Sequence, residues 1–256
     1  MSTLATAPRR ASHARRRRRG GGGPVTWFIG FIGELLLTAG LVLGLFVVWQ
    51  LFWTDVEAHR EQAQALEHLR ESITVPADGP TADGPRTDAP PAMDAPAEGE
   101  DFGALYVPRW GERAGQVPIA EGVGRHDVLD RGRAGHFPQT AMPGEVGNFA
   151  LAAHRQTYGA AFHQIDRLEE GDRLIVQTGQ AWLVYEVTGS EIILPEETDI
   201  LAPVPGEPGV EATDRLITLI TCHPLWSTAE RYVVHGEFVE WYPPSQDMPD
   251  ELTEGN

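Results

Sequence analysis

The chain has 256 residues, with 20 arginines, no lysine, 37 acidic residues and one cysteine, and its formal net charge is −17. This acidic balance excludes a nucleic-acid-binding role for most of the chain, because such proteins present a basic footprint. The single cysteine excludes an intramolecular disulfide, so the chain is not a disulfide-stapled secreted module.

The N-terminal part combines a basic tail with an apolar run. Residues 1–24 carry seven arginines, and residues 25–53 are almost wholly apolar, with Trp27, Trp49 and Trp53 near the two ends. Such a run is long enough to span a bilayer, and tryptophans favour its interfaces. No clear small-residue cleavage site follows, so we predict an uncleaved transmembrane signal anchor. The arginines predict a single-pass protein of the cell membrane, with a cytoplasmic N-terminus and an extracytoplasmic remainder.

Two segments are expected to connect this anchor to a globular domain. Residues 54–75 contain no Gly or Pro and many good helix formers, which predicts a charged helical stalk, either solvated or a weak coiled coil. Residues 76–101 contain six Pro, seven acidic residues and one Arg, a composition typical of a disordered linker.

Residues 102–244 are predicted to form one mainly β domain, followed by an acidic disordered tail over residues 245–256. Short apolar or alternating runs are separated by Gly, Pro and Asp, which favours a barrel or a sandwich. A short helix is predicted at 160–168, with its apolar side chains facing inward. The predicted strands are Gly103–Pro108, Gln116–Ala120, Asn148–His154, Arg173–Gln177, Ala181–Ile193, Arg215–Cys222 and Arg231–Tyr242.

The lone cysteine lies where catalysis is plausible on physical grounds. Cys222 ends a predicted strand, because Pro224 cannot continue a central ladder. Arg231 opens the next strand. If the two strands form an antiparallel hairpin, the end of the first lies beside the start of the second. The pattern therefore predicts that Cys222 and Arg231 meet at one rim of the sheet.

These residues suit nucleophilic catalysis. A catalytic cysteine reacts as a thiolate, and a nearby cation such as Arg231 favours that form or stabilises an oxyanion. His154, on another strand, is a candidate general acid and base. The alternative interpretation is a cysteine that serves only as a small buried apolar residue.

The motifs around these residues resemble the sortase family. Thr218 to Cys222 read TLITC, which matches the family's TLxTC strand, with a histidine upstream and an arginine nine residues downstream. The CHP continuation, the AAHRQTYG segment and the N-terminal anchor are most similar to class E sortases of high-GC actinobacteria. The resemblance covers about residues 102–243. It implies a closed eight-stranded β-barrel with short helices, preceded by the transmembrane helix and the disordered linker.

The resemblance also implies a reaction. Cys222 would attack the Thr–Gly carbonyl of a C-terminal sorting signal, LAxTG-like or LPxTG-like, and form a thioacyl-enzyme. His154 would move the protons, and Arg231 would hold the substrate backbone and the oxyanion. The implied partners are surface proteins that bear such signals and a cell-wall peptide amine carried by a peptidoglycan precursor. No cofactor and no metal are expected.

Further positions near these motifs are weaker candidates. Tyr106 is a candidate for lining the signal-binding groove, with a packed strand tyrosine as the alternative. Thr221 is a candidate for shaping the oxyanion site through its backbone, and ordinary strand packing is the alternative. Tyr158 is a candidate substrate contact because it follows His154 closely. His223 is predicted to point to the opposite strand face as a bystander.

Other cysteine enzymes of the wall fit less well. Papain-like peptidases place the cysteine before the histidine, whereas His154 precedes Cys222 here. L,D-transpeptidases carry a compact SHGC-type cluster, which this sequence lacks. A catalytically inactive, membrane-tethered β-domain that binds wall or protein ligands remains the alternative function.

Overall fold

The computed structural model describes residues 23–73, 84–111, 115–245, 248–249 and 252. The arginines of the predicted basic tail, residues 74–75 of the predicted stalk, residues 76–83 of the predicted linker and most of the predicted acidic tail lie outside these ranges. The chain divides into two compact units, the first of which ends at Val48.

One helix in the described part of the chain is long and apolar enough to cross a membrane. This helix, α1, comprises Pro24–Ser72. Proline suits its first position, because the missing N–H would have no helical partner there. Apolar side chains from Val25 to Val48 are exposed in the first unit, which fits a helix whose solvent is lipid.

The second unit is built on a closed eight-stranded barrel, as the resemblance predicted. The order around the barrel is β1-β2-β3-β4-β7-β8-β6-β5, with β5 returning to β1. The pairs β2–β3 and β4–β7 are parallel, and the other pairs are antiparallel. The strands are β1 Asp101–Tyr106, β2 Gln116–Glu121, β3 Ala134–His136, β4 Gly147–Ala152, β5 Arg173–Thr178, β6 Trp182–Ile193, β7 Arg215–His223 and β8 Glu230–Tyr242.

Two local differences from the sequence expectations have simple causes. Strand β3 was not predicted, because three residues are too few to show an alternating pattern. The helix expected at 160–168 is a series of turns that contains one 3₁₀ turn, Ile165–Arg167. Positive φ angles at Gly159 and Ala160 interrupt helical geometry at its start. The predicted inward residues Phe162, Ile165 and Leu168 are buried nevertheless.

Three apolar clusters organise the barrel. The largest fills the interior and includes Leu219 of β7 and Val234 of β8. A small cluster on the opposite face of the same strands contains Ile220, Val233 and Ile200. The third covers the β1–β5–β6 side with side chains of α1. The small cluster matters for function, because it shares a strand face with Cys222.

The C-terminal part of α1 packs against the barrel rather than standing free. Leu69 and Ile73 are 7% and 3% exposed and belong to the cluster over β1 and β5. Glu61 pairs with Arg131 and Arg133, two residues that flank a tight turn. The interpretation of residues 54–75 as a solvated stalk therefore does not fit the described helix, because its apolar stripe finds a partner in its own chain.

The described part of the predicted linker also differs from expectation. Residues 84–100, which we call the strap, lie across the barrel instead of forming a disordered chain. Arg86 forms a β-bridge with Trp241 and places its guanidinium 4.5 Å from the indole centroid. Pro90 is buried, and the N–H of Gly99 donates to the carbonyl of Glu121. Proline and apolar anchors hold a segment whose composition alone suggested disorder.

Candidate active site

The hairpin of β7 and β8 brings the cysteine and the arginine together. Cys222 and Arg231 are direct Cα partners in the antiparallel ladder. Alternation places both residues on the strand face of Ile220 and Val233, which is the face of the small outer cluster. Cys222 is half-buried and is the only cysteine of the chain. The pairing predicted from the sequence is therefore present in the structure.

The histidine reaches the same rim from a parallel neighbour. In the β4–β7 ladder, Ala152 is the partner of Ile220. The next residue continues the pairing, since the N–H of Ala153 donates to the carbonyl of Ile220 at 3.2 Å. The Thr221 hydroxyl donates to the carbonyl of Ala153 at 2.6 Å. His154 and Cys222 each lie two residues beyond the paired positions, so both emerge at the ends of adjacent strands.

An aspartate that sequence reasoning missed holds the histidine. The His154 Nε2 lies 2.8 Å from Asp130 Oδ1, so Nε2 carries the proton that the carboxylate accepts. Asp130 follows Leu129 in a 3₁₀ turn, 24 residues before His154 in the chain. The ring of Tyr158 stacks on the imidazole, with 5.4 Å between centroids. This arrangement leaves Nδ1 as the nitrogen available for proton transfer.

The same carboxylate also contacts two exposed side chains. Arg125 Nε lies 3.3 Å from Asp130 Oδ1, and His126 Nδ1 lies 3.4 Å from Oδ2. The hydrogen bond to Asp130 raises the pKa of Arg125 further above its usual value. No sequence spacing pointed to this aspartate, because only the β2–β3 connection brings it beside β4.

Backbone carbonyls of the hairpin loop fix the arginine. Nη1 of Arg231 donates to the carbonyl of Thr228 at 3.0 Å and to that of Glu230 at 2.9 Å. These bonds hold the guanidinium at the start of β8, at the same rim of the barrel as Cys222 near the end of β7. A planar cation in this position can meet a substrate carbonyl or a developing oxyanion.

An apolar groove adjoins these groups. The outer cluster of Ile220, Val233 and Ile200 is extended by Phe137 and Leu201. Phe137 and Leu201 also line a cavity of about 580 Å³ between the 137–140 segment and the long β6–β7 connection. A cavity of this size suits a few residues of an extended peptide.

The weaker sequence candidates lie in three different environments. Tyr106 is on β1, four strands from β7 around the barrel in either direction, so the structure does not support its predicted place in the groove. Its hydroxyl donates to Gln177 and its ring packs on Trp182, and burial raises the pKa of its hydroxyl. The alternative interpretation, a packed strand tyrosine, describes it. Thr221 ties β7 to the segment after β4, and Tyr158 lies against His154.

Comparisons with known proteins agree with this geometry. The sortase domain family model matches residues 105–239. The chain is 37% identical to sortase SrtE1 of Streptomyces coelicolor over 227 residues, which is 86% of this chain and 60% of SrtE1. It is also 37% identical to SrtE2 of that organism over 82% of each chain.

Solved structures give the same result. The SrtA sortase of Actinomyces oris superposes with a TM-score of 0.62 and 46% identity, over 65% of this chain and 95% of that one. Sortase E1 of Streptomyces coelicolor, crystallised with a tripeptide in its active site, gives a TM-score of 0.55 and 38% identity, over 62% and 99%.

Proposed function

Because the chain belongs to the sortase family, whose members are cysteine transpeptidases, we propose that it is a membrane-anchored transpeptidase with Cys222 as its nucleophile. The observation that carries the proposal is the convergence of three strand ends. Two independent ladders, β4–β7 and β7–β8, bring His154 and Arg231 to the rim where Cys222 lies.

We propose a separate role for each group. The Cys222 thiolate attacks the carbonyl of the threonine in a Thr–Gly bond. Arg231, the ladder partner of Cys222, stabilises the oxyanion and aligns the peptide backbone. His154 gives a proton to the departing glycine amine, and the acyl group remains on sulfur as a thioester. The nitrogen of the incoming amine then attacks the thioester carbonyl and gives a proton to the imidazole. The C–S bond breaks, which releases the product and restores the Cys222 thiolate.

The substrate is a surface protein with a C-terminal sorting signal of the LAxTG or LPxTG type. The apolar residue that begins such a signal suits the groove lined by Phe137 and Leu201, on the strand face of Cys222. The acceptor is a cell-wall peptide amine. α1 anchors the enzyme in the membrane, with the barrel on the extracytoplasmic side.

A single-turnover trapping assay tests this function. The full chain in detergent micelles is incubated with an LAxTG or an LPxTG peptide and hydroxylamine, and mass spectrometry follows the threonine hydroxamate. We expect the wild type to form this product and Cys222→Ala to form none. Arg231→Lys should remain impaired, since a point charge does not replace a planar fork.

Identical blank traces from the wild type and Cys222→Ala across both peptide classes would refute the enzymatic proposal. That result would favour a membrane-tethered β-domain without activity. Full activity in Arg231→Lys would refute the role given to the guanidinium while leaving the nucleophile in place.

A further inference from the structure

A second cluster lies directly behind the three candidate catalytic groups. Arg155 follows His154, His223 follows Cys222, and Tyr232 follows Arg231. Because successive strand residues face opposite ways, His223 and Tyr232 point away from the groove. Tyr232 accordingly packs against the interior cluster, whereas Val233 belongs to the outer one.

Arg155 joins the members of this cluster. Its Nη1 lies 2.8 Å from Nδ1 of His223, and its guanidinium carbon lies 5.5 Å from the centroid of the Tyr232 ring. The rings of His223 and Tyr232 are 5.7 Å apart. Asp166, from the 3₁₀ turn Ile165–Arg167, pairs with Nη2 of Arg155 at 2.9 Å. One side chain therefore contacts residues adjoining both the nucleophile and the oxyanion-binding arginine.

The Arg155–His223 bond has a defined direction. A guanidinium is always protonated and only donates, so Nδ1 of His223 must accept and carries no proton. Arg155 is 3% exposed. Burying a cation costs several kcal/mol, and replacing buried ion pairs by apolar residues often stabilises a protein. Stability alone is thus a poor reason for a buried arginine at this position.

We propose that Arg155, His223 and Tyr232 form a positioning cluster that fixes the relative placement of His154, Cys222 and Arg231. The inference rests on the proposed function for its catalytic meaning. The cluster touches no substrate. It acts through the backbone, because each of its members is covalently bonded to the residue that it positions. His223, predicted from the sequence to be a bystander, is one of its members.

Two amide substitutions of His223 separate positioning from general stability. The Oδ1 of asparagine occupies nearly the position of Nδ1 and can accept the bond from Arg155, whereas glutamine carries its amide one methylene further out. His223→Asn should keep kcat near the wild-type value. His223→Gln should lower kcat about 10- to 100-fold with little change in KM, as a misplacement of about 1 Å would.

The assay uses the full chain in detergent micelles, with an LAxTG peptide and an amine acceptor, and thermal midpoints are measured for both variants. Equal kcat values for the asparagine and glutamine variants would overturn the proposal. So would a loss of kcat that follows a loss of thermal midpoint in both.

A second readout does not depend on turnover. Cys222 is the only cysteine, so iodoacetamide reports on its environment alone. We expect the alkylation rate of His223→Asn to match the wild type and that of His223→Gln to differ. If the wild type cleaves no peptide, the proposed function fails, and this alkylation comparison still decides the positioning proposal. Identical alkylation rates in all three proteins would overturn it.

Discussion

Asp130 defines the chemistry of His154 at the scale of single residues. Its carboxylate accepts the Nε2 proton and selects one tautomer and one orientation of the ring. It also places a negative charge beside the imidazolium that forms during proton transfer. In Ser-His-Asp triads an aspartate in this position holds the histidine without being protonated itself.

Replacing Asp130 should therefore impair catalysis more than folding. Asp130→Asn removes the charge and allows the amide to present a donor to Nε2. We expect kcat to fall about 100-fold, at the lower end of the range of acid–base contributions, with KM nearly unchanged. Steady-state kinetics of peptide transfer measures both quantities.

Asp127→Asn is the matched control, because Asp127 loses the same charge on the same connection but is exposed. Its kinetics should equal those of the wild type. Equal losses in the two variants would show that general electrostatics, rather than the contact with His154, is responsible.

The sequence predicted some of these residues and not others for physical reasons. Cys222 and Arg231 were paired from the strand pattern alone, since a hairpin requires only two neighbouring strands. His154 was identified by its type and motif, but its place beside Cys222 depends on the parallel β4–β7 ladder. The position of Asp130 beside His154 depends on the long connection between β2 and β3, and no local sequence pattern identifies this aspartate. Tyr106 was misplaced because a strand pattern does not say where that strand lies around a closed barrel.

At the scale of elements, α1 links the barrel surface to the segments around His154. The side-chain amide of Gln62 donates to the carbonyl of Gly132 at 2.6 Å, two residues after Asp130. The N–H of Gly159, next to Tyr158, donates to the Asp55 carboxylate. Gly132 has a φ of +76°, a left-handed backbone conformation that favours glycine over residues with a side chain.

The packing of α1 predicts a stability effect that a free stalk would not show. Leu69→Ala should lower the free energy of unfolding of the second unit by about 2 kcal/mol, since Leu69 is 7% exposed. Val56→Ala, at a position that is 43% exposed, should change it by less than about 0.5 kcal/mol. Urea unfolding of the full chain in micelles, followed by tryptophan fluorescence, measures both. Equal midpoints for the two variants would contradict the packing.

The elements themselves were largely predictable, and their partners were not. Seven strands were expected close to their observed bounds, because alternating apolar residues bounded by Gly and Pro are a local signal. The apolar stripe of residues 54–75 was also visible, but not the surface that it covers. The strap was wrongly predicted to be disordered. Composition indicates how little apolar surface a segment can bury by itself, but it does not show the contacts that the segment makes with a neighbouring barrel.

For the whole molecule, the distribution of charge predicts orientation in the membrane. Seven arginines precede the apolar run, whereas the residues after position 54 include 36 acidic residues and 13 arginines. Basic flanks are retained in the cytoplasm, so we predict that the barrel and Cys222 lie outside.

The single native cysteine allows this orientation to be tested. A membrane-impermeant maleimide should label Cys222 in intact bacteria, and Cys222→Ala should remain unlabelled. In the Cys222→Ala background, Ser12→Cys should react only after the membrane is permeabilised. The opposite topology would be indicated if Ser12→Cys were labelled in intact cells while Cys222 of the wild type were not.

The strap has a practical consequence for anyone who prepares the soluble enzyme. A recombinant fragment that starts at residue 102, where sequence patterns place the domain boundary, would lack Arg86 and Pro90. It would remove the covering from the Trp241 indole, which donates to the Asp88 carbonyl, and from the surface around Gly144, where Pro90 lies. Fragments for crystallisation or peptide ligation should therefore begin at or before Gly84, so that the purified protein does not expose an apolar patch that promotes aggregation.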